Sequence, residues 1–194
     1  MNRTLIAALS ELTGTFFLTL AALAVPAPYT PFAAGMVLLV FVYAIGSISG
    51  AHLNPAVTVG LVSARQFPLM EGVVYIAAQI AGALLARLVV LLELVGELGS
   101  YEAGGAAAEF IAFGILMLAV AAVTEKKVTA TGSGIAVGPA LIAALLISGG
   151  VLNPAVAIAM GLSGSLAVWM PLLSGAAFAL LFDLLKKGTP PKPD

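Results

Sequence analysis

The stretch Ser-Gly-Ala-His-Leu-Asn-Pro-Ala-Val starts at Ser49, and Ser-Gly-Gly-Val-Leu-Asn-Pro-Ala-Val starts at Ser148. Asn54 and Asn153 lie 99 positions apart. Asparagine is a good helix N-cap, and proline suits the first helical position, where its missing N–H would be unpaired anyway. Each stretch therefore starts a helix. The apolar residues that follow are few, 54–62 and 153–162. At 1.5 Å per residue they cover ~14 Å, about half of a ~30 Å hydrocarbon core. Both read as half-helices capped near mid-membrane depth. Irregular backbone is tolerated there only where protein buries it or where it lines a wet cavity.

The solvent follows from composition. Charged residues make up 9% and hydrophobic ones 61%, with mean hydropathy +1.14. A soluble domain carries roughly 25% charge, so this surface is made for lipid. Six longer apolar segments, about 5–25, 32–48, 69–92, 104–123, 131–147 and 166–185, approach the ~20 residues a spanning helix needs. The N-terminal run after Arg3 resembles a signal peptide in outline. It is read as the first span, because a retained helix completes the repeat described next. With both termini cytoplasmic, Arg3, Arg65, Lys126, Lys127, Lys186, Lys187 and Lys192 all fall inside, and the outer loops hold only Glu93, Glu97 and Glu102. The positive-inside rule favours that orientation. The charged, proline-rich tail, 186–194, is expected to be disordered.

The halves, about 5–94 and 104–185, match beyond the repeated stretch. Glu11 precedes Asn54 by 43 residues, and Glu109 precedes Asn153 by 44. Each half is span, span, half-helix, span. Three spans per half invert the second relative to the first, and interrupted segments at matching places point to the functional site. The expected fold is an all-α membrane protein: six transmembrane helices and two re-entrant half-helices in one inverted repeat, 1–185.

Several function classes drop out. No cysteine is available for disulfides or thiolate chemistry, and His52 is the single histidine, which excludes a histidine metal cluster. A net charge of −1 offers no basic footprint for nucleic acid.

The duplicated Asn-Pro-Ala, the two phased glutamates, Glu-Leu-Thr-Gly-Thr at Glu11, Ala-Glu-Phe-Ile-Ala-Phe-Gly around Glu109, the helix around Gln79, and Trp169, Pro171, Gly175 and Asp183 near the C-terminus together resemble the aquaporin, or major intrinsic protein, family. The resemblance covers nearly the whole chain. It implies a homotetramer with one pore per subunit, passive transport and no cofactor, in a cell membrane.

On that resemblance Asn54, Pro55, Ala56, Asn153, Pro154 and Ala155 form the pore midplane. The asparagine amides face the lumen, and the half-helix N-termini add roughly half a positive charge each, a barrier to cations and protons. Either asparagine alone is also compatible with a plain N-cap in a packed bundle. Glu11 and Glu109 are ionisable groups inside spans, where such groups face the protein interior. They are expected to accept hydrogen bonds from the half-helix loops, with a proton relay as the alternative. His52 is placed at the inner vestibule, in a structural role rather than a gating one. Gly50, Gly149 and Gly150 permit tight turns whose carbonyls can line a pore. Gln79 reads as a packing and hydrogen-bonding residue. Arg87 is expected to snorkel outward or pair with Glu93 or Glu97, with projection toward the pore or a subunit contact as the alternative.

The chain departs from the family after the second Asn-Pro-Ala, where most members have arginine and this one has Val156. Carrying the other selectivity-filter positions over by spacing gives Ala34, Leu141 and Gly150. The filter is then free of charge and of aromatic rings, wider and more apolar than a water-selective one. The leading reading is a passive channel for water and small uncharged solutes such as glycerol, urea or metalloid hydroxides. Alternatives are a narrow water-selective channel and a structural membrane protein with a closed pore. A membrane enzyme is disfavoured, since its only acid/base candidates, Glu11 and Glu109, sit on opposite halves.

Overall fold

A computed structural model describes residues 2–96 and 101–187. Eight α-helices follow in order: α1 (Arg3–Ala24), α2 (Thr30–Ser49), α3 (Pro55–Ser63), α4 (Leu69–Leu91), α5 (Ala106–Thr124), α6 (Ser133–Ser148), α7 (Pro154–Met160) and α8 (Met170–Lys187). Single 3-10 turns at Ala130–Gly132 and Leu166–Trp169 lead into α6 and α8. Six helical stretches are long and apolar enough to cross a membrane, and α3 and α7, with nine and seven residues, are not. Large apolar side chains such as Met36, Val40, Ile111, Leu173 and Leu184 stay exposed on the outside, as expected where lipid tails replace water.

Element boundaries differ from the sequence expectation by a few residues. The last helix runs on through Lys186 and Lys187, whose Nζ atoms pair with Asp183 at 3.2 and 2.8 Å. Such i,i+3 and i,i+4 pairs support a helical last turn. The remaining tail, 188–194 with Lys192, lies outside the described residues, as does Glu97.

Helix pairing follows the two halves. α1 packs on α4, α5 on α8, and α2 against α6 across the halves. At the α2–α6 crossing the backbones meet directly: a Cβ on Gly35 would sit 2.8 Å from the Gly138 carbonyl, and one on Gly138 2.7 Å from the Gly35 carbonyl. Without a hydrophobic drive between helices in lipid, small residues of this kind allow the close approach that dispersion needs. One face gathers the chain after α3, after α5 and at the end of α8. There Glu125 Oε1 accepts from Gln66 Nε2 at 2.9 Å and pairs with Lys186 at 2.8 Å.

Candidate functional site

The repeated stretch folds the same way twice. α2 and α6 each end at a left-handed glycine, Gly50 (φ 90°) and Gly149 (φ 61°). The serine before each glycine holds the next turn: Ser49 Oγ accepts from Ala51 N–H at 3.1 Å and Ser148 Oγ from Gly150 N–H at 3.0 Å. Two residues later Leu53 and Leu152 are also left-handed, with φ 49° and 57°, and both are fully buried. A left-handed leucine costs roughly 1–2 kcal/mol, so surrounding contacts must hold it. Those contacts are reciprocal. Asn54 Nδ2 donates to the Leu152 carbonyl and Asn153 Nδ2 to the Leu53 carbonyl, both at 2.9 Å. Each asparagine also caps its own half-helix through Oδ1, accepting from Ala56 N–H at 2.8 Å or Ala155 N–H at 3.1 Å. α3 and α7 thus meet N-terminus to N-terminus, each cap donating to the opposite loop.

A carboxylate sits behind each loop. Glu11, fully buried, accepts from His52 N–H (3.0 Å), Leu53 N–H (2.7 Å), Ser49 Oγ–H (2.7 Å) and Gln79 Nε2 (2.8 Å). Glu109, equally buried, accepts from Val151 N–H at 2.7 Å and Leu152 N–H at 2.9 Å. Left-handed backbone turns its N–H groups away from any helix, and in lipid an unmet N–H costs several kcal/mol. Gln79 Nε2 also donates to Thr58 Oγ1 at 3.0 Å, and His52 Nδ1 lies 3.1 Å from the same hydroxyl. The His52 ring packs edge-on against Phe67 and Tyr75.

Gly150 is where the second brace is tightest. A Cβ there would overlap Glu109 Oε1 and lie 3.1 Å from Gly104 Cα, whereas a Cβ on Gly149 meets nothing within 4 Å. Gly150→Ala is therefore expected to push Glu109 off both N–H groups and cost ~2–4 kcal/mol. Gly149→Ala costs only the left-handed penalty of ~1–2 kcal/mol. Thermal unfolding in detergent, followed through the single Trp169, should rank Gly150→Ala clearly below Gly149→Ala; equal melting temperatures would contradict the contact.

The meeting point of the two caps opens onto a cavity of about 60 Å³. Asn54 and Asn153 line it, and so do all four spacing-derived filter residues, Ala34, Leu141, Gly150 and Val156. Pro55, Ala56, Pro154 and Ala155 are buried behind it, in the first turns of α3 and α7. A second cavity of about 710 Å³ opens beside it and shares Ala51, His52, Val57, Val120 and Val137 with the first. The small cavity has room for a few water-sized occupants at ~10–15 Å³ each. Leu18, Leu38 and Met160 also line it, together with Thr30, whose hydroxyl donates to the Val25 carbonyl at 2.7 Å. Spacing from the asparagines did not reveal these residues. Leu18 lies seven residues, two helical turns, after Glu11 on the same face of α1, and that register is a usable signal. Arg87 also departs from expectation. It makes no ion pair among the described residues, and its Nη1 donates to the Ala159 carbonyl at the end of α7.

Comparison with known proteins gives concordant results. Residues 3–127 match the sequence model of the major intrinsic protein family. Aquaporin NIP1-4 of Oryza sativa subsp. japonica is 34% identical over 92% of this chain and 76% of its own length. Aquaporin NIP3-1 of Arabidopsis thaliana is 38% identical over 62% of the chain, which covers 44% of that relative. Among solved structures, the aquaglyceroporin from Plasmodium falciparum superposes with TM-score 0.71 at 20% identity, covering 96% of each chain. At that identity the superposition speaks for the fold.

Proposed function

The chain belongs to the major intrinsic protein family of membrane channels, and from that premise we propose that it passes water and small uncharged solutes, of the size of urea, glycerol or a metalloid hydroxide, down their gradients. The observation that carries this reading is the cavity between the two asparagine caps, whose side-chain lining includes no charged group. Asn54 and Asn153 supply the polar step at the midplane; Ala34, Leu141, Gly150 and Val156 act as the filter. Glu11 and Glu109 brace the loops, and His52 stands at the inner vestibule. The protein is taken to be a homotetramer in the cell membrane, termini in the cytoplasm, with residues 1–185 as one channel domain. The basic residues at the ends of α1, α3, α5 and α8 support that orientation.

The small volume of the cavity, about 60 Å³, favours a second reading, a water-selective channel. Stopped-flow light scattering of proteoliposomes against water, urea, glycerol and boric acid separates the two. Glycerol and urea fluxes well above those of empty liposomes support the broader reading; rapid water flux with neither overturns it. No flux of any kind would point to a closed structural protein.

The barrier to ions has its own test. Asp in place of Asn54 and Asn153 keeps each cap acceptor, but sets a carboxylate against the half-helix N-termini. Each N-terminus carries roughly half a positive charge. Cation or proton flux through the double variant Asn54→Asp, Asn153→Asp is expected to rise roughly tenfold, equivalent to ~1.4 kcal/mol off the barrier. A folded double variant that leaks no more than wild type would remove the midplane from the account of ion exclusion.

A further inference from the structure

α3 and α7 end differently. α3 has nine residues, and its C-terminal carbonyls are taken up by the turn that follows: Ala64 N–H donates to Gly60, Arg65 N–H to Val62 and Gln66 N–H to Leu61. Arg65 itself stands at that end. α7 is two residues shorter and stops at Gly161, whose φ is 81°. Its closing turn takes up the Ala157 and Ile158 carbonyls, through Leu162 N–H and Gly161 N–H. The Ala159 carbonyl is left over. It belongs to a fully buried residue, and the donor that meets it is Arg87 Nη1, reaching across from α4. A cation at a helix C-terminus also faces the negative end of the helix dipole, and a charge-assisted bond is stronger than a neutral one. The guanidinium therefore supplies in cis the donor that the closing turn of α7 does not. The next residue is Met160, and one turn back lies Val156; both line the small cavity, whereas Arg87 does not.

We infer that Arg87 is a positioning residue for solute selection: by clamping the Ala159 carbonyl it fixes the last turn of α7, and with it how far Met160 and Val156 intrude on the outer part of the conduit. Met160 then occupies space that the missing filter arginine leaves open. The inference rests on the conduction reading above for its effect on solutes, and on the Arg87–Ala159 bond alone for its effect on α7.

Two readouts separate those dependencies. In proteoliposomes, Arg87→Met is expected to raise the glycerol-to-water permeability ratio by about threefold or more, on the scale of a charge–dipole contact. Arg87→Lys, which keeps the cation, is expected to hold the wild-type ratio. Met160→Ala is expected to raise the ratio with the clamp intact, and Arg87→Met combined with Met160→Ala to raise it no further, since coupled sites are non-additive. An unchanged ratio in folded Arg87→Met, or effects of the two substitutions that multiply independently, overturns the inference. The second readout needs no flux. The chain has no cysteine, so Met160→Cys carries the only thiol, and its labelling by a neutral methanethiosulfonate reports how firmly the turn is held. Labelling is expected to quicken by about threefold or more when Arg87→Met is added; an equal rate overturns the clamp. If wild type passes no solute, the function proposed above fails while the labelling result still decides the clamp. Should Arg87→Met not fold, Arg87→Gln takes its place in both measurements with the same expected and overturning results.

Discussion

Replacing Glu11 by leucine is expected to remove nearly all folded protein from the membrane. Four donors converge on this one carboxylate, two of them backbone N–H groups of a left-handed loop. Each buried donor left unmet costs ~1–3 kcal/mol, and bonds to a charged acceptor sit at the upper end. The sum, ~4 kcal/mol or more, is a large part of a typical total stability of ~5–15 kcal/mol. Glu11→Gln is the sharper variant. The amide keeps one acceptor but turns an NH₂ toward a cluster made up of donors, so two or more of them lose their partner. Glu109 receives backbone N–H groups from Val151, Leu152 and Gly104, one donor fewer than the four that Glu11 receives. Glu109→Gln should therefore lower the melting temperature less than Glu11→Gln, and a lipid-facing change such as Leu88→Ala less than either. Equal melting of the two glutamine variants would show that donor count does not set the strength of the brace. Wild-type melting in both would sink the bracing role altogether.

Val156→Arg is expected to cut glycerol flux at least tenfold while reducing water flux much less. Val156 is 3% exposed, packed against Ala22, Val151 and Val168, and one face of it lines the cavity. Arginine is far larger and brings five N–H donors. In a cavity of about 60 Å³ it leaves room for water in single file but not for a three-carbon polyol. A tenfold loss corresponds to ~1.4 kcal/mol of added barrier, modest for steric exclusion. The guanidinium needs acceptors, and the carbonyls of the Gly149–Gly150 turn are candidates, Gly150 lining the same cavity; a folded, monodisperse variant is the precondition for the flux measurement. The quantity to compare is the glycerol-to-water permeability ratio relative to wild type. A ratio that does not fall means that Val156 lies off the solute path. A wild type that already rejects glycerol places the constriction elsewhere, and Met160 and Leu18 are then the side chains to truncate.

The architecture was legible in the sequence because its determinants are local or periodic. Six apolar runs of spanning length, two Asn-Pro starts too short to span, and a glutamate 43 or 44 residues before each asparagine require no knowledge of contacts. Lipid makes this reading unusually direct: unsatisfied backbone is so costly there that hydropathy and helix capping leave few folds open. The gathering of Ala34, Leu141, Gly150 and Val156 around one cavity was likewise approachable by counting from the asparagines. Other features depended on pairings between distant residues, which no local pattern encodes. The exchange of amides between Asn54 and Leu152 and between Asn153 and Leu53 joins positions about one hundred apart. The left-handed leucines that present those carbonyls run against leucine's own preference, so only the assembled site holds them there. Arg87 shows the difference most plainly. From its place near the end of a span it read first as a snorkelling cation or a partner for a nearby glutamate, with an inward projection toward the pore or a subunit contact as the alternative. The tertiary structure instead brings its guanidinium to the end of the seven-residue half-helix, where Nη1 meets the Ala159 carbonyl that the closing turn leaves over.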